Sequence, residues 1–356
     1  MTDFLMEVRK MMDHLVSGNE DSLREWVSHS RTIRSIHRIP GDASTRRYYR
    51  IQSDKASFIL MQMEGFEEQG LKLPFIEVQK HLQGAGVDVP TILDVEPARG
   101  FILLEDLGDI TLLRKLQDVA NPDVERHIYE RVIDSLVEMQ VNASPARKPA
   151  SIAGYSMRFD FEKLMWEVNF AIEHFYEKHL GRVISAADRK VMEEGFSEIC
   201  TTLANEPVVF THRDFHSRNI MTVPGATGDS AERFVMIDFQ DARLGPAQYD
   251  LASLLKDSYY QLEESQIDRL LDYAIARTEA LAGSRLDRNH FRTIFDLMSV
   301  QRNFKAIGSF ASFQNKRGNA TYLKYIGNTF ENIRRTLLRH PRYARLREVL
   351  FHYYYF

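Results

Sequence analysis

The side chains best suited to chemistry lie in the stretch Val209 to Met221, where polar residues interrupt an apolar run. Asp214 and Asn219 stand five positions apart behind His212, and Asp238 follows within a second apolar run, Met-Ile-Asp-Phe. An isolated carboxylate in apolar surroundings requires a partner. A metal ion that carries phosphate would provide one, so the stretch predicts a magnesium-dependent site for phosphoryl transfer.

Each of these side chains has a definite expected role. Asp214 can accept the proton of an acceptor hydroxyl, while the amide oxygen of Asn219 and the carboxylate of Asp238 can ligate Mg²⁺. His212 is expected to support the loop, because Mg²⁺ does not favour imidazole. Taken singly, Asp238 and Asn219 could be ordinary turn residues, and Asp250 an acid at a helix start. Together, H-x-D-x-x-x-x-N, a short β-hairpin and I-D-F follow the order found in kinases.

The elements around this stretch predict an α+β, bilobal, protein-kinase-like fold. Residues 31–107 are expected to form a nucleotide-binding N-terminal lobe, a five-stranded antiparallel sheet plus one helix. Residues 108–356 are expected to form a mostly helical lobe for catalysis and acceptor binding, and residues 1–30 a helical extension. Within the first lobe, the turn after Pro40 carries Gly41 and Ser44, whose backbone N–H groups and hydroxyl can hold phosphates. An ordinary hairpin turn is the alternative.

Composition indicates which kinds of partner and which cellular compartment to expect. The chain has 356 residues, a net charge of −4 and one cysteine. Because no basic block is present, a nucleic-acid partner is not expected. No apolar run approaches the roughly 18 residues of a membrane span, and no secretory signal pattern begins the chain, so we expect a cytoplasmic protein without membrane contact.

From residue 30 onwards, the chain resembles the aminoglycoside phosphotransferase/choline kinase superfamily. Within it, the chain is most similar to the anomeric sugar kinases of peptidoglycan recycling. The stretches that carry the resemblance are Gly41–Tyr48, Leu103–Asp109, His212–Asn219, Ile237–Ala242, Gly245–Leu251 and Gln301–Gly308.

The resemblance implies an ATP- and Mg²⁺-dependent kinase that phosphorylates the anomeric hydroxyl of N-acetylmuramate and N-acetylglucosamine. It gives Asp214 the role of base, with Asn219 and Asp238 as metal ligands. It also implies that Asp250 holds the loop through backbone N–H groups. The backbone of Glu105 and Leu107 would then meet adenine.

Two features depart from the kinase pattern. Met61 stands at the expected position of the third-strand lysine. The candidates to replace its charge are Arg46, Arg47, Arg50 and Lys55, of which Arg46 and Arg47 are best placed, unless they are ordinary surface arginines. The run from Asp238 to Pro246 is also too short for an activation loop. A small-molecule acceptor is therefore expected, and Arg213 is expected to meet this acceptor or an acid of the second lobe.

The stretch predicted to bind the acceptor bears Arg302 and Lys305, which suit a carboxylate such as the lactyl group of N-acetylmuramate. Solvated helix charges are the alternative. Two other functions stay open. One is a kinase for another small hydroxyl compound, such as an aminoglycoside, a choline-like alcohol or homoserine. The other is a non-catalytic nucleotide-binding scaffold.

Overall fold

The computed structural model describes residues 25–26, 33–40, 46–225 and 232–355. Its contacts divide the chain into two compact units, one formed by residues 1–73 and 90–107, the other by residues 74–89 and 108–356. The predicted helical extension, residues 1–30, lies outside the described residues except for Glu25 and Trp26.

The first unit contains the predicted five-stranded antiparallel sheet. Its strands, in spatial order β1-β2-β3-β5-β4, are β1 (Ile33–Ile39), β2 (Arg47–Ser53), β3 (Ser57–Gln62), β4 (Ile92–Glu96) and β5 (Phe101–Glu105). Alternation along the strands sends apolar side chains to one face. The buried cluster on that face consists of Tyr49, Ile51, Leu60, Phe101 and Leu103.

Met61 lies inside this sheet, opposite Tyr48 on β2 and Ile102 on β5. Its side chain is fully buried. The third strand therefore presents an apolar side chain where the kinase pattern has a lysine, and it brings no positive charge to that position.

The second unit is mostly helical. Its helices are α1 (Pro74–Gln83), α2 (Leu112–Gln117), α3 (Pro122–Asn142), α4 (Ala153–Ser156), α5 (Phe161–Ala171), α6 (Ala186–Ala204), α7 (Gln248–Leu255), α8 (Glu264–Ala282), α9 (Arg288–Arg317), α10 (Ile326–Leu338) and α11 (Ala344–Tyr355). Four short strands accompany them: β6 (Val208–Thr211), β7 (Ile220–Val223), β8 (Arg233–Met236) and β9 (Arg243–Pro246).

Helix α1 belongs to the second unit, although it lies within the range 31–107 expected for the first lobe. The rings of Phe75 and Phe239 stack at 5.1 Å. The Glu77 carboxylate accepts a hydrogen bond of 2.8 Å from the backbone N–H of Ala153. These contacts attach the helix to the same unit that carries Asp214 and Asp238.

Helix α9 is longer than the sequence pattern predicted. The apolar period of the sequence predicts a helix over Asp287–Gly308. The helix instead continues to Arg317, because Phe310 and Ala311 extend its buried face. It ends at Gly318, whose φ of +64° suits a residue without Cβ. Gly308 instead permits a close helix contact, since a Cβ there would lie 2.4 Å from the Ala171 Cα.

The predicted helix 161–180 changes geometry partway along. It is α-helical to Ala171 and π-helical over Ile172–His179. Among the described residues, no helix is both long and apolar enough to cross a membrane.

Candidate active site

Two short antiparallel ladders frame the loop His212–Asn219, which we call the catalytic loop. Strand β6 pairs with β9, and β7 pairs with β8. The loop leaves β6 at His212 and enters β7 after Asn219. Because Ile220 pairs with Met236, Asn219 lies beside the exit of β8, where the N–H of Ile237 donates to the Asn219 carbonyl at 3.0 Å. The ladders thus bring Asn219 and the Asp238 segment together.

Two residues near this loop adopt a left-handed backbone. Arg213 has a φ of 81° and Asp238 a φ of 66°, and they are the only non-glycine residues with positive φ in the described part of the chain. Such conformations cost about 1–3 kcal/mol and persist only where surrounding contacts enforce them. Arg213 directly precedes the predicted base Asp214, and Asp238 is itself a predicted metal ligand, so both strained residues lie at the candidate site.

Two buried carboxylates hold the catalytic loop at its two ends. Asp250 accepts backbone hydrogen bonds from His212 at 2.7 Å and from Arg213 at 2.9 Å. Asp257 accepts one from the backbone N–H of Ser217 at 2.9 Å. Burial raises the pKa of Asp250 to about 7, although the two N–H donors favour its charged form. Burial likewise raises the pKa of Asp257.

Asp214 lies between two cations. The Lys305 Nζ is 3.3 Å from its Oδ1, and an Arg213 guanidinium nitrogen is 4.0 Å from its Oδ2. The side chain keeps 27% of its surface exposed. Burial acts to raise the pKa of Asp214, but the Lys305 and Arg213 charges outweigh it and hold this pKa well below its usual range. The carboxylate is therefore ionised at neutral pH, as a proton acceptor must be.

Asn219 is oriented by its neighbour. Its side-chain nitrogen donates to the Asp214 carbonyl at 3.0 Å, which leaves the amide oxygen as the atom suited to a cation. Asp238 accepts from the Gln240 amide at 2.7 Å. The apolar neighbours of Asp238 suggested a buried acid, but Asp238 is exposed. The side chains of Met236 and Phe239 are the ones that are buried.

The side-chain oxygens of Asn219 and Asp238 suit Mg²⁺, which takes its other ligands from phosphate and water. They are too few for a metal ion that is bound by protein side chains alone. In the residues that the structure describes, no cluster of three or more His, Cys, Asp or Glu side chains is placed to hold a metal ion. One carboxylate and one amide oxygen suit an ion whose remaining ligands are phosphate oxygens and water.

Of the two loop histidines, His212 is buried and His216 is partly exposed. His212 contacts the Phe215 ring edge to face at 5.8 Å, and burial lowers its pKa although Asp214 and Asp238 oppose that shift. Burial and the nearby Arg302 charge lower the pKa of His216 to about 3. Both imidazoles are therefore neutral at physiological pH.

The predicted acceptor residues take different positions. Arg213 pairs with Asp241 at 2.7 Å, so it meets an acid of its own unit. Lys305 forms the ion pair with Asp214 described above. Arg302, one helical turn before it, is only 4% exposed, and its Nε is buried without a hydrogen-bond partner among the described residues.

The predicted nucleotide residues fall in the first unit. Gly41 and Ser44 lie outside the described residues. Arg46 directly precedes β2, and Arg47 begins it at an exposed position. Glu105 ends β5, where its carboxylate accepts from the Thr91 backbone N–H at 3.2 Å.

Leu107 follows this strand and is buried. It is the last residue of the first unit.

Two buried acids of this region were not predicted. Asp257, described above, follows α7 and resembles an ordinary helix-end residue in sequence. Glu167 on α5 pairs with Lys163 at 3.3 Å and accepts from the Gln301 amide at 3.2 Å. A glutamate one helical turn after a lysine is typical of a surface pair. Only the packing of α9 against α5 reveals that Glu167 is 1% exposed.

A family model described as the phosphotransferase enzyme family matches residues 35–284. The chain belongs to this phosphotransferase family. An N-acetylmuramate/N-acetylglucosamine kinase of Neisseria meningitidis is 31% identical over 87% of this chain and 89% of its own length. A protein of the same name from Pseudomonas aeruginosa is also 31% identical, over 87% and 86%. This phosphotransferase is an ATP-dependent kinase that acts on a hydroxyl group.

Two solved structures share the fold of this chain. A choline kinase from Streptococcus pneumoniae superposes with a TM-score of 0.58 at 12% identity, covering 88% of this chain and 98% of its own. An ADP-bound aminoglycoside phosphotransferase gives 0.57 at 11% identity, covering 88% and 97%. At such identities these likenesses show the protein-kinase-like fold of this phosphotransferase and nothing about its acceptor.

Proposed function

We propose that this kinase transfers the γ-phosphoryl group of ATP to the anomeric hydroxyl of N-acetylmuramate and N-acetylglucosamine. The observation that carries the proposal is the 31% identity, over most of both chains, to relatives with that name. The cations beside Asp214 agree with it, because Lys305 and Arg302 would repel a cationic acceptor such as choline or an aminoglycoside.

Asp214 would act as the general base. As the anomeric oxygen attacks the γ-phosphorus, Asp214 takes the hydroxyl proton, the bond between the γ-phosphorus and the β,γ-bridging oxygen breaks, and ADP leaves. The ionised state of Asp214 permits this step. The hydrogen bond from Asn219 to the Asp214 carbonyl and the two bonds to Asp250 fix the loop in place.

The metal ligands in this proposal are Asn219 and Asp238. A magnesium ion bound there would neutralise charge on the phosphates. In the first unit, the backbone of Glu105 and Leu107 would contact adenine, and Arg46 and Arg47 are the candidates for phosphate contacts. Gly41 and Ser44 would belong to the phosphate-holding turn.

The acceptor is tested by sugar-dependent ADP release. We expect N-acetylmuramate and N-acetylglucosamine to stimulate ADP formation, whereas choline, homoserine and an aminoglycoside do not. Stimulation by one of the latter compounds alone would replace the proposed acceptor. If folded protein shows no Mg²⁺-dependent ATP binding, the nucleotide-binding function itself fails.

The base is tested by Asp214→Asn, which keeps the shape of the side chain. We expect kcat to fall about 10²- to 10⁴-fold, the usual contribution of a general base, with nucleotide affinity little changed. Asp287→Asn is a matched control, because Asp287 caps α9 and an asparagine caps equally well. Activity that survives Asp214→Asn would contradict the assignment.

A further inference from the structure

Lys305 is an unusual neighbour for a catalytic base. It lies on α9, 91 positions after Asp214, yet its Nζ is 3.3 Å from the Asp214 Oδ1. Its side chain is 15% exposed and that of Asp214 is 27% exposed, so this ion pair is partly open to solvent.

Other cations near the loop are held by different partners. Arg213 is drawn to Asp241 at 2.7 Å, against 4.0 Å to Asp214. The Arg218 guanidinium lies over the Tyr259 ring at 5.0 Å. Lys305 therefore makes a closer contact with the Asp214 carboxylate than Arg213 does.

The reacting atoms must come close to this ammonium group. A hydroxyl that gives its proton to Asp214 lies about 2.6–3.2 Å from a carboxylate oxygen. When that oxygen is Oδ1, the attacking oxygen lies within about 6.5 Å of Nζ, and the phosphoryl group is its next neighbour. An ammonium has three N–H donors, and Asp214 occupies one of them.

Phosphoryl transfer needs positive charge at the oxygens of the group in flight. Met61 is fully buried in the sheet of the first unit and brings none. On α9, by contrast, Lys305 lies against the base, and Arg302 lies one turn before it with a buried, unpartnered Nε. The positive charge nearest the Asp214 base is therefore supplied by Lys305 of the helical unit.

We propose that Lys305 is a catalytic residue, whose ammonium group contacts the phosphoryl group during its transfer to the oxygen deprotonated by Asp214. This assignment replaces the role predicted from sequence, recognition of an acceptor carboxylate. It rests on the proposed function, because it takes Asp214 as the base. Lys305 stabilises the negative charge on the oxygens of the phosphoryl group in transfer, while the electron pair of the broken bond goes to the β,γ-bridging oxygen, which leaves with ADP.

Comparison of two acceptors separates the two roles of Lys305. N-acetylmuramate carries a carboxylate and N-acetylglucosamine does not. For Lys305→Met we expect kcat to fall about 10²- to 10³-fold with both sugars, as for the loss of one donor to a charged transition state, while the KM values for the sugars stay near those of the wild type. Lys305→Arg, which keeps the charge, should retain more activity than Lys305→Met.

Lys316→Met is the matched control, because Lys316 is exposed near the end of the same helix. It should leave kcat unchanged. Two results would overturn the proposal: a loss confined to N-acetylmuramate and expressed in KM, which assigns Lys305 to the acceptor carboxylate, or wild-type kcat in Lys305→Met.

Two further measurements separate chemistry from folding and from acceptor identity. Ethylammonium should partly restore the turnover of Lys305→Ala, a rescue that a misfolded variant would not show. If the wild type phosphorylates neither sugar, the proposed acceptor fails. Slow hydrolysis of ATP by water then still tests Lys305, since Lys305→Met should reduce it, and an unchanged rate would refute the catalytic role.

Discussion

Asp250→Asn replaces one carboxylate oxygen of a fully buried side chain with an NH₂ group. The substitution tests whether Asp250 holds the catalytic loop. The carboxylate accepts two backbone N–H groups, from His212 at 2.7 Å and from Arg213 at 2.9 Å. An amide has one oxygen, so one donor loses its acceptor and faces an NH₂ group instead. A hydrogen bond to a charged group contributes about 1.5–3 kcal/mol, and a buried donor left unsatisfied costs a similar amount.

We therefore expect Asp250→Asn to lower the free energy of unfolding by about 2–4 kcal/mol. The backbone of Arg213, at a φ of 81°, loses a contact that enforces its conformation. Asp214 is the next residue, and misplacement of a catalytic group by about 1 Å can cost about 10²-fold in rate. We expect a kcat reduction of that size.

Urea unfolding and steady-state ADP release at pH 8, above the pKa of about 7 for Asp250, measure both effects. Asp287→Asn is again the control, because Asp287 accepts the backbone N–H of His290 at 3.0 Å at an exposed helix start. It should change stability by less than about 0.5 kcal/mol. If Asp250→Asn unfolds and turns over like the wild type, the carboxylate does not hold the loop.

Three further outcomes follow from the structure. Cys200 is fully buried and burial raises its pKa to about 12, so a thiol reagent at pH 8 should label it only after denaturation. Asn219→Ala should raise the Mg²⁺ concentration for half-maximal activity about 10- to 100-fold, and an unchanged Mg²⁺ titration would remove Asn219 from the metal site. Gly308→Ala should lower the free energy of unfolding by about 1–3 kcal/mol, because its Cβ would collide with Ala171. Gly327→Ala, with no atom closer than 3.7 Å, should change stability by less than about 1 kcal/mol in the same urea titration.

Local patterns were enough to predict most of the fold. Alternating apolar residues predicted the five strands of the first unit, and the helical period predicted most helices of the second. The predicted end of α9 at Gly308 is wrong, because the helix continues to Arg317. The small size of Gly308 serves a contact with Ala171, which belongs to a helix more than a hundred residues earlier in the chain.

The sequence indicated which of the predicted site residues lie near one another only where they are close in the chain. Asp214, Asn219 and Asp238 share one loop and the following hairpin, so their spacing carries the signal. The ion pair between Lys305 and Asp214 depends instead on how α9 packs, because the two residues are 91 positions apart. The spacing of residues in the sequence does not predict it. The second anchor of the loop, Asp257, was missed for the same reason, since its partner is a backbone N–H 40 positions away.

The central claim is that this kinase phosphorylates the anomeric hydroxyl of an N-acetylated amino sugar. The most direct measurement is ³¹P NMR of the products formed from ATP, Mg²⁺ and N-acetylglucosamine, with Asp214→Asn run in parallel. We predict a sugar 1-phosphate that accumulates together with ADP in the wild type and not in Asp214→Asn. A phosphate on another hydroxyl, or no sugar phosphate from folded protein that binds ATP and Mg²⁺, would contradict the claim.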